Sequence, residues 1–348
     1  MLPACLMTTL LGCATAAPPA PPAPAVAPVA AAPVPAAPPP VPAAPAVPLS
    51  RLICTVQQAR RISFADLGLP AGSRPLDLAL GKSRIWLLFA PSLLVGIPRT
   101  VDARGPAAIP EYGQVEEEMD MVPGPRPDAW RSLAIDPWDG TLWLASPSGL
   151  WRRRPGRRPE PVVVSGMAGA AQGFRGVAAA RNAVWVAPTC AAQAVWKIDS
   201  KGKVLATALP ASSSGGCAGA WLQRDWSGAL LALLPGAGGE GGLFRLAFDG
   251  SWKPAGEIPI PPTLQSWFFW GIEPLALGTA PEMAPDPAEP LLYRRVDGRA
   301  TAFHEDCGPG NALLRVDGDA QGWAALTREW LLIGEHAAGQ QQEKPGSH

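Results

Sequence analysis

The chain has 348 residues and no net formal charge, with 47% hydrophobic and 17% charged side chains. Its first 50 residues hold 15 of the 43 prolines and no Asp, Glu, Lys or Arg, so that segment cannot bury enough apolar surface to offset its ordering entropy. This split excludes one uniform globule, leaving about 300 residues to build a core, and neutrality excludes a nucleic-acid or anionic-membrane partner found through bulk charge.

The chain opens with an apolar run from Met1 that ends in Leu10-Leu11-Gly12-Cys13. Those four residues resemble the lipobox of bacterial lipoprotein signal peptides, in which the Cys is lipidated and becomes the first residue. The resemblance implies a signal peptide over 1–12, lipidation at Cys13 and, because Ala14 rather than Asp follows, sorting to the outer membrane with the protein facing the periplasm or the cell surface. Several acyl chains at about 0.8 kcal/mol per buried CH2 would hold such a protein permanently to a bilayer. The competing reading is a disordered cytoplasmic tail with a chance Cys. A transmembrane helix is less favoured still, since no window reaches about 18 uninterrupted apolar residues without proline.

Residues 13–50 form the lipidated Cys and an Ala/Pro-rich linker. The 36 positions from 14 to 49 favour extended polyproline II, which at about 3.1 Å per residue reaches roughly 110 Å. This is a disordered tether rather than a folded element.

From Arg51 the chain repeats itself. Apolar pieces recur at Arg84–Pro91, Thr141–Pro147 and Ala183–Pro188, each behind a polar turn, and Asp225-Trp226-Ser227-Gly228 precedes a fourth at Ala229–Leu234. A second piece, an apolar strand closed by a Gly turn, ends at Gly156, Gly202, Gly250 and Gly298, which are 46, 48 and 48 residues apart. Asp-Gly turns between β-rich runs are hairpin signals, because Gly takes the positive φ such turns need. One unit therefore predicts four strands over about 45 residues, the blade of a β-propeller. First strands are expected near Pro75, Ser132, Gly176, Gly219, Ser266 and Ala312. The sequence predicts an all-β, six-bladed propeller over 51–335 and a disordered tail over 336–348. The sixth unit runs out after its third strand, and Arg61–Asp66 is expected to supply the missing outer strand. The segment Ser132–Trp143 resembles the repeat of NHL-type and two-component-regulator-type propellers, which implies architecture more specifically than function.

Trp86, Trp143, Trp185 and Trp323 fall on second strands at positions aligned as equivalent, where blades pack face to face, and Trp267-Phe268-Phe269-Trp270 falls on a first strand buried on both sides. Core packing is the preferred reading of both sets over a recognition surface. With Cys5 in the signal and Cys13 the lipid acceptor, Cys54, Cys190, Cys217 and Cys307 remain, allowing three connectivities. Cys190 and Cys217 fall in loops that leave neighbouring blades on one face, so a Cys190–Cys217 disulfide is expected. The partners of Cys54 and Cys307 stay open.

No Gly-rich phosphate loop, Gly-x-Ser-x-Gly elbow or His-Glu-x-x-His occurs. The acidic run Glu116–Asp120 lacks the spacing of a calcium loop, so no metal and no cofactor is expected. His304-Glu305-Asp306, before the sixth first strand, is the one acid-base cluster on the loop face, against a solvated-loop alternative. Streptogramin-lyase-like propellers use a His with an acidic partner and lactonase-like ones a divalent metal; neither set can be placed residue by residue here. Aligning the six first strands puts Arg74, Arg131, Arg175, Ala218, Gln265 and Asn311 at one position beside the central channel. Guanidinium groups are always charged and present forked donors, so such a half-ring suits a carboxylate or phosphate; capping of carbonyls or pairing with acids such as Asp77 is the alternative. The expected function is a monomeric envelope lipoprotein acting as a non-enzymatic binding or assembly module. Its partner would be an envelope protein or a small anionic ligand, with no nucleic acid. A metal-dependent lactonase- or lyase-like propeller enzyme is the alternative.

Overall fold

The computed structural model describes residues 53–54, 59–69, 71–90, 93–99, 131–146, 149–163, 174–180, 183–188, 194–199, 203–209, 220–235, 240–261, 263–271, 273–279, 290–303, 307–308 and 311–335. The chain divides into Met1–Ala46 and Val47–His348, and every described residue lies in the second unit.

Strand β1 (Arg60–Ser63) stands ahead of the first repeat. The first blade is β2 (Arg74–Leu80), β3 (Arg84–Ala90) and β4 (Leu93–Pro98). The second is β5 (Ser132–Ile135), β6 (Leu142–Ser146), β7 (Gly149–Arg153) and β8 (Glu160–Val162). The third is β9 (Phe174–Ala180), β10 (Ala183–Pro188), β11 (Ala194–Asp199) and β12 (Val204–Ala208). The fourth is β13 (Trp221–Arg224), β14 (Leu230–Pro235), β15 (Glu240–Leu246) and β16 (Trp252–Pro259). The fifth is β17 (Thr263–Trp270), β18 (Glu273–Thr279), β19 (Leu291–Val296) and β20 (Arg299–Phe303). The sixth is β21 (Leu313–Asp319), β22 (Gly322–Thr327) and β23 (Trp330–Gly334). Each is an antiparallel meander, and the inner strands β2, β5, β9, β13, β17 and β21 neighbour one another in a cycle that returns to β2. The chain is a six-bladed β-propeller.

The turns form where their chemistry requires. Asp136 Oδ1 accepts the Trp138 N–H at 2.8 Å, Asp139 Oδ1 accepts the Thr141 N–H at 2.8 Å, and Gly140 then takes a φ of 75°, which a side chain would strain. Between β19 and β20, Asp297 and Gly298 both have positive φ, 50° and 76°, the pattern of a two-residue turn whose twist matches the strands it joins.

Closure of the ring falls to the N-terminal strand. β1 pairs antiparallel with β23 from Arg60 opposite Ile333 to Ser63 opposite Trp330, so it is the outer strand of the sixth blade. It ends at Ser63, short of the expected Asp66, because the chain turns there: Ser63 Oγ accepts the Asp66 N–H at 3.0 Å. Two further ties secure the closure, one between the segments that precede β1 and β21 and one between the first and sixth blades. Cys54 is disulfide-bonded to Cys307, with Cα atoms 4.9 Å apart, and Arg99 grips Asp319 with both terminal nitrogens at 2.7 and 2.6 Å.

The core lies between blades, so second strands are buried on both faces. Ile85, Leu87 and Phe89 pack with Ala324, Leu326 and Leu331 of the sixth blade, whereas Trp86 and Leu88 pack with Leu133, Ile135 and Leu144 of the second. Such strands are continuously apolar rather than alternating. Trp143 and Trp185 likewise face the following blade. Trp323 is buried but faces the preceding, fifth blade among Trp267 and Leu277, so its expected equivalence to the other three is corrected. Leu88 and Leu326 occupy matching places beside an inner-strand bulge; Trp86 stands two residues before the first and Trp323 three before the second. With a side-chain period of two, that one-residue difference reverses the face. Trp267, Phe268 and Phe269 are buried and Trp270 half-buried; Trp270 meets Trp226 and Trp323 edge-on at 5.5 and 5.0 Å.

Candidate functional site

The entry ends of the inner strands surround a cavity of about 1080 Å³ at the channel mouth. Local strand irregularity aims side chains into it. β2, β9, β17 and β21 each carry a β-bulge against the second strand of their blade, leaving Leu76, Arg175, Gln265 and Leu314 without a cross-strand partner. All four line the cavity, as expected of a device that re-aims a side chain near the end of a strand. In the second blade the Arg131 N–H bonds Ala145 O at 2.9 Å although Ala145 pairs with Ser132, so Arg131 holds the corresponding place.

Arg74, Arg131, Arg175 and Gln265 all line this cavity. Arg74 does so from two residues before the bulge, and the position aligned with it from sequence belongs to Leu76. Asn311 is not part of the lining. It is 3% exposed, and its Oδ1 accepts the Glu329 N–H at 3.1 Å; Leu314 is the sixth blade's bulge residue instead. The sequence alignment is therefore two residues out in the first blade and three in the sixth. His304, Ala218, Cys13, Cys190 and Cys217 lie outside the described residues.

The lining carries five arginines, Arg74, Arg131, Arg175, Arg315 and Arg328, against two carboxylates, Asp77 and Glu329. Neither Arg74 nor Arg131 has an ion-pair partner among the described residues. The Arg175 guanidinium lies 4.7 Å from the centre of the Trp221 ring, within cation–π range. Burial, and the neighbouring charge of Arg131, hold Arg175 below the usual arginine range. A bound anion would relieve both effects.

The floor is a polar network that composition does not single out. Arg315 spans the channel: its Nε lies 3.0 Å from Asp77 Oδ1 of the first blade, Nη2 donates to Gln223 Oε1 of the fourth, and Nη1 donates to Trp267 O of the fifth at 3.1 Å. Asp77 also accepts the Leu133 N–H of the second blade at 2.7 Å, while Asp317 accepts the Leu80 N–H of the first at 2.8 Å. Ser266 donates to Leu314 O at 2.9 Å. These groups sew neighbouring inner strands together and floor the mouth as a cup, with a void of about 30 Å³ beside them among the described residues. Burial pushes the Asp77 carboxyl above the usual aspartate range, against the opposing charge of Arg315 and the N–H groups of Leu133 and Leu78. The one sequence signal for the floor was polar residues interrupting apolar first strands, as in Leu76-Asp77-Leu78 and Leu314-Arg315-Val316-Asp317.

Among the described residues no group of three or more His, Cys, Asp or Glu side chains is arranged to hold a metal ion. No protein-family model matches the chain, and no curated protein does. Solved structures similar to it include a gluconolactonase from Xanthomonas campestris, at TM-score 0.48 and 12% identity, covering 80% of this chain and 90% of that one. A catalytically inactive virginiamycin B lyase from Staphylococcus aureus with quinupristin scores 0.46 at 10% identity, covering 80% of this chain and 99% of the other. YCF48 bound to D1 peptide scores 0.43 at 13% identity, covering 80% and 97%. These likenesses concern backbone architecture and assign no chemistry to the cup.

Proposed function

We propose that this protein is an envelope-tethered propeller that binds anions, on a small ligand or an acidic partner segment, in the cup at its channel mouth. The observation that carries this reading is the meeting of Arg74, Arg131 and Arg175 from three successive blades in one cavity of about 1080 Å³. Forked, charge-assisted donors on a rigid ring suit carboxylate or phosphate. The role is binding rather than turnover: Asp77, the buried carboxylate of the lining, is committed to Arg315 and to backbone N–H groups. Titrating the full chain calorimetrically with inorganic phosphate and with citrate tests this. Affinity should fall as salt rises, and R131Q/R175Q should weaken it by about tenfold or more, the loss of at least one charge-assisted hydrogen bond. Affinity unchanged by the double substitution, or no binding of either anion, would reject the reading. A stoichiometric divalent ion in protein purified without chelator would favour the metal-dependent enzyme instead.

Anchoring through Cys13 at the outer membrane, with 13–50 as spacer, 51–335 as propeller and a monomeric state, completes the proposal. The buried Cys54–Cys307 disulfide supports an oxidising compartment, where such bonds persist. Globomycin treatment or Cys13→Ala should leave an unprocessed or soluble form; unchanged mass and membrane partition in both would sink lipidation.

A further inference from the structure

The cup is two-sided. Guanidinium groups enter it from the first three blades, at Arg74, Arg131 and Arg175. The half-buried indole of Trp221 comes from the fourth blade, and Leu314 with the half-buried indole of Trp330 from the sixth, with Gln265 of the fifth blade between them in ring order. Buried Phe64 and Leu69, from the turn after β1, extend the apolar wall, and the Phe64 N–H bonds Glu329 O at 3.0 Å, which fixes that turn against the start of β23. The two sides touch where Arg175 stacks over Trp221. A simple inorganic anion would use the guanidinium side and leave the indole faces wet, whereas a flat apolar body carrying one acid group would cover both.

We infer that the cup takes an aromatic carboxylate, its acid group held by Arg131 and Arg175 and its ring laid against Trp221 and the apolar wall towards Trp330. This rests on the anion-binding reading above and specifies its ligand class. The volume suits it, since small-molecule sites run from about 300 to 1000 Å³ and are mostly apolar with a few placed polar groups. Trp221 contributes twice in this arrangement, as a face for the ligand ring and as the platform that holds the Arg175 guanidinium flat.

The test uses the full chain and four probes in calorimetric titration: 2-naphthoate, its neutral amide, acetate and inorganic phosphate. Naphthoate should bind about tenfold or more tighter than either acetate or the amide, since each of these lacks one half of the recognition. Trp221→Leu should lower naphthoate affinity by about tenfold and phosphate affinity by less, because phosphate loses only the platform under Arg175 whereas naphthoate loses the ring face as well. Comparing probes on the unsubstituted protein needs no variant to fold, and near-ultraviolet circular dichroism shows whether the Trp221 variant keeps its packing. If phosphate binds and naphthoate is no tighter than acetate, the aromatic assignment is overturned and the anion site stands. If the amide binds as well as naphthoate, the aromatic-carboxylate assignment is overturned, and the anion reading stands or falls with phosphate. If none of the four binds, both readings fall.

Discussion

Reducing the Cys54–Cys307 bond, or replacing both residues by Ser, is expected to lower stability by about 5 kcal/mol, near the top of the range for a single disulfide. The bond spans 253 residues, and in the chain-entropy account the constraint placed on the unfolded state grows with the logarithm of the loop it closes. Its position adds a local effect. Cys54 precedes β1, which closes the ring through four residue pairs with β23, and Cys307 precedes β21 of the same blade. With the bond cut, β1 is held by those pairs and by packing of Ile62 and Phe64, and its departure would uncover the edge of β23. The urea midpoint should fall on reduction, and amide exchange should rise first at Ile62 and its partner Leu331. Coincident unfolding curves for oxidised and reduced protein, or peptide mapping that joins Cys54 to another cysteine, would overturn the assignment.

Arg315→Met is the second large effect. It leaves the buried Asp77 carboxylate without its cation, and breaking a buried pair from one side costs about 3–5 kcal/mol. D77N/R315M removes both charges and should recover at least half of that loss, a non-additivity that a merely steric defect would not show. The pH dependence has a definite sign. A carboxyl whose folded pKa lies above its unfolded value contributes stability fully below the unfolded pKa and loses it as pH rises through the folded one. Asp77 is already raised with Arg315 in place, so the single variant should be least destabilised in mild acid and worst at neutral pH. Asp319 behaves oppositely: burial works to raise it, but the Arg99 hydrogen bond and charge with the Gln321 and Gly322 N–H groups hold it below the usual range. Its contribution is present above the ordinary aspartate pKa of about 3.9 and is lost as pH falls through the depressed value. Equal destabilisation by the single and double variants at neutral pH would refute the floor network.

The blade count, the strand order and the closing role of the N-terminal strand were legible because they rest on signals that survive translation along a chain. Asp-Gly turns such as Asp297-Gly298 need a positive φ wherever they stand, and a 46–48-residue recurrence of strand and turn leaves few architectures to choose from. A sixth unit one strand short, beside a spare strand at Arg60–Ser63, also points to closure in any sequence that must hide its edge. Arg74, Arg131, Arg175 and Gln265, each directly before the residue expected to open a repeat, line the cup, whereas Asn311 in the same sequence position does not.

What only the tertiary structure decided depends on small register offsets and on partners far apart in the chain. Where each inner strand begins carries no composition signal, and the aligned position lies two residues beyond Arg74, at Leu76, and three beyond Asn311, at Leu314. The same kind of offset turns Trp323 towards the fifth blade while Trp86 faces the second. Among three possible connectivities, the pairing of Cys54 with Cys307 is set by ring closure, which brings residues 253 apart to a Cα distance of 4.9 Å. The floor of the cup is the clearest case. Asp77, Gln223 and Arg315 sit in three different blades as isolated polar residues in apolar strands, and their charges become compatible with burial only when the closed ring sets them around one axis.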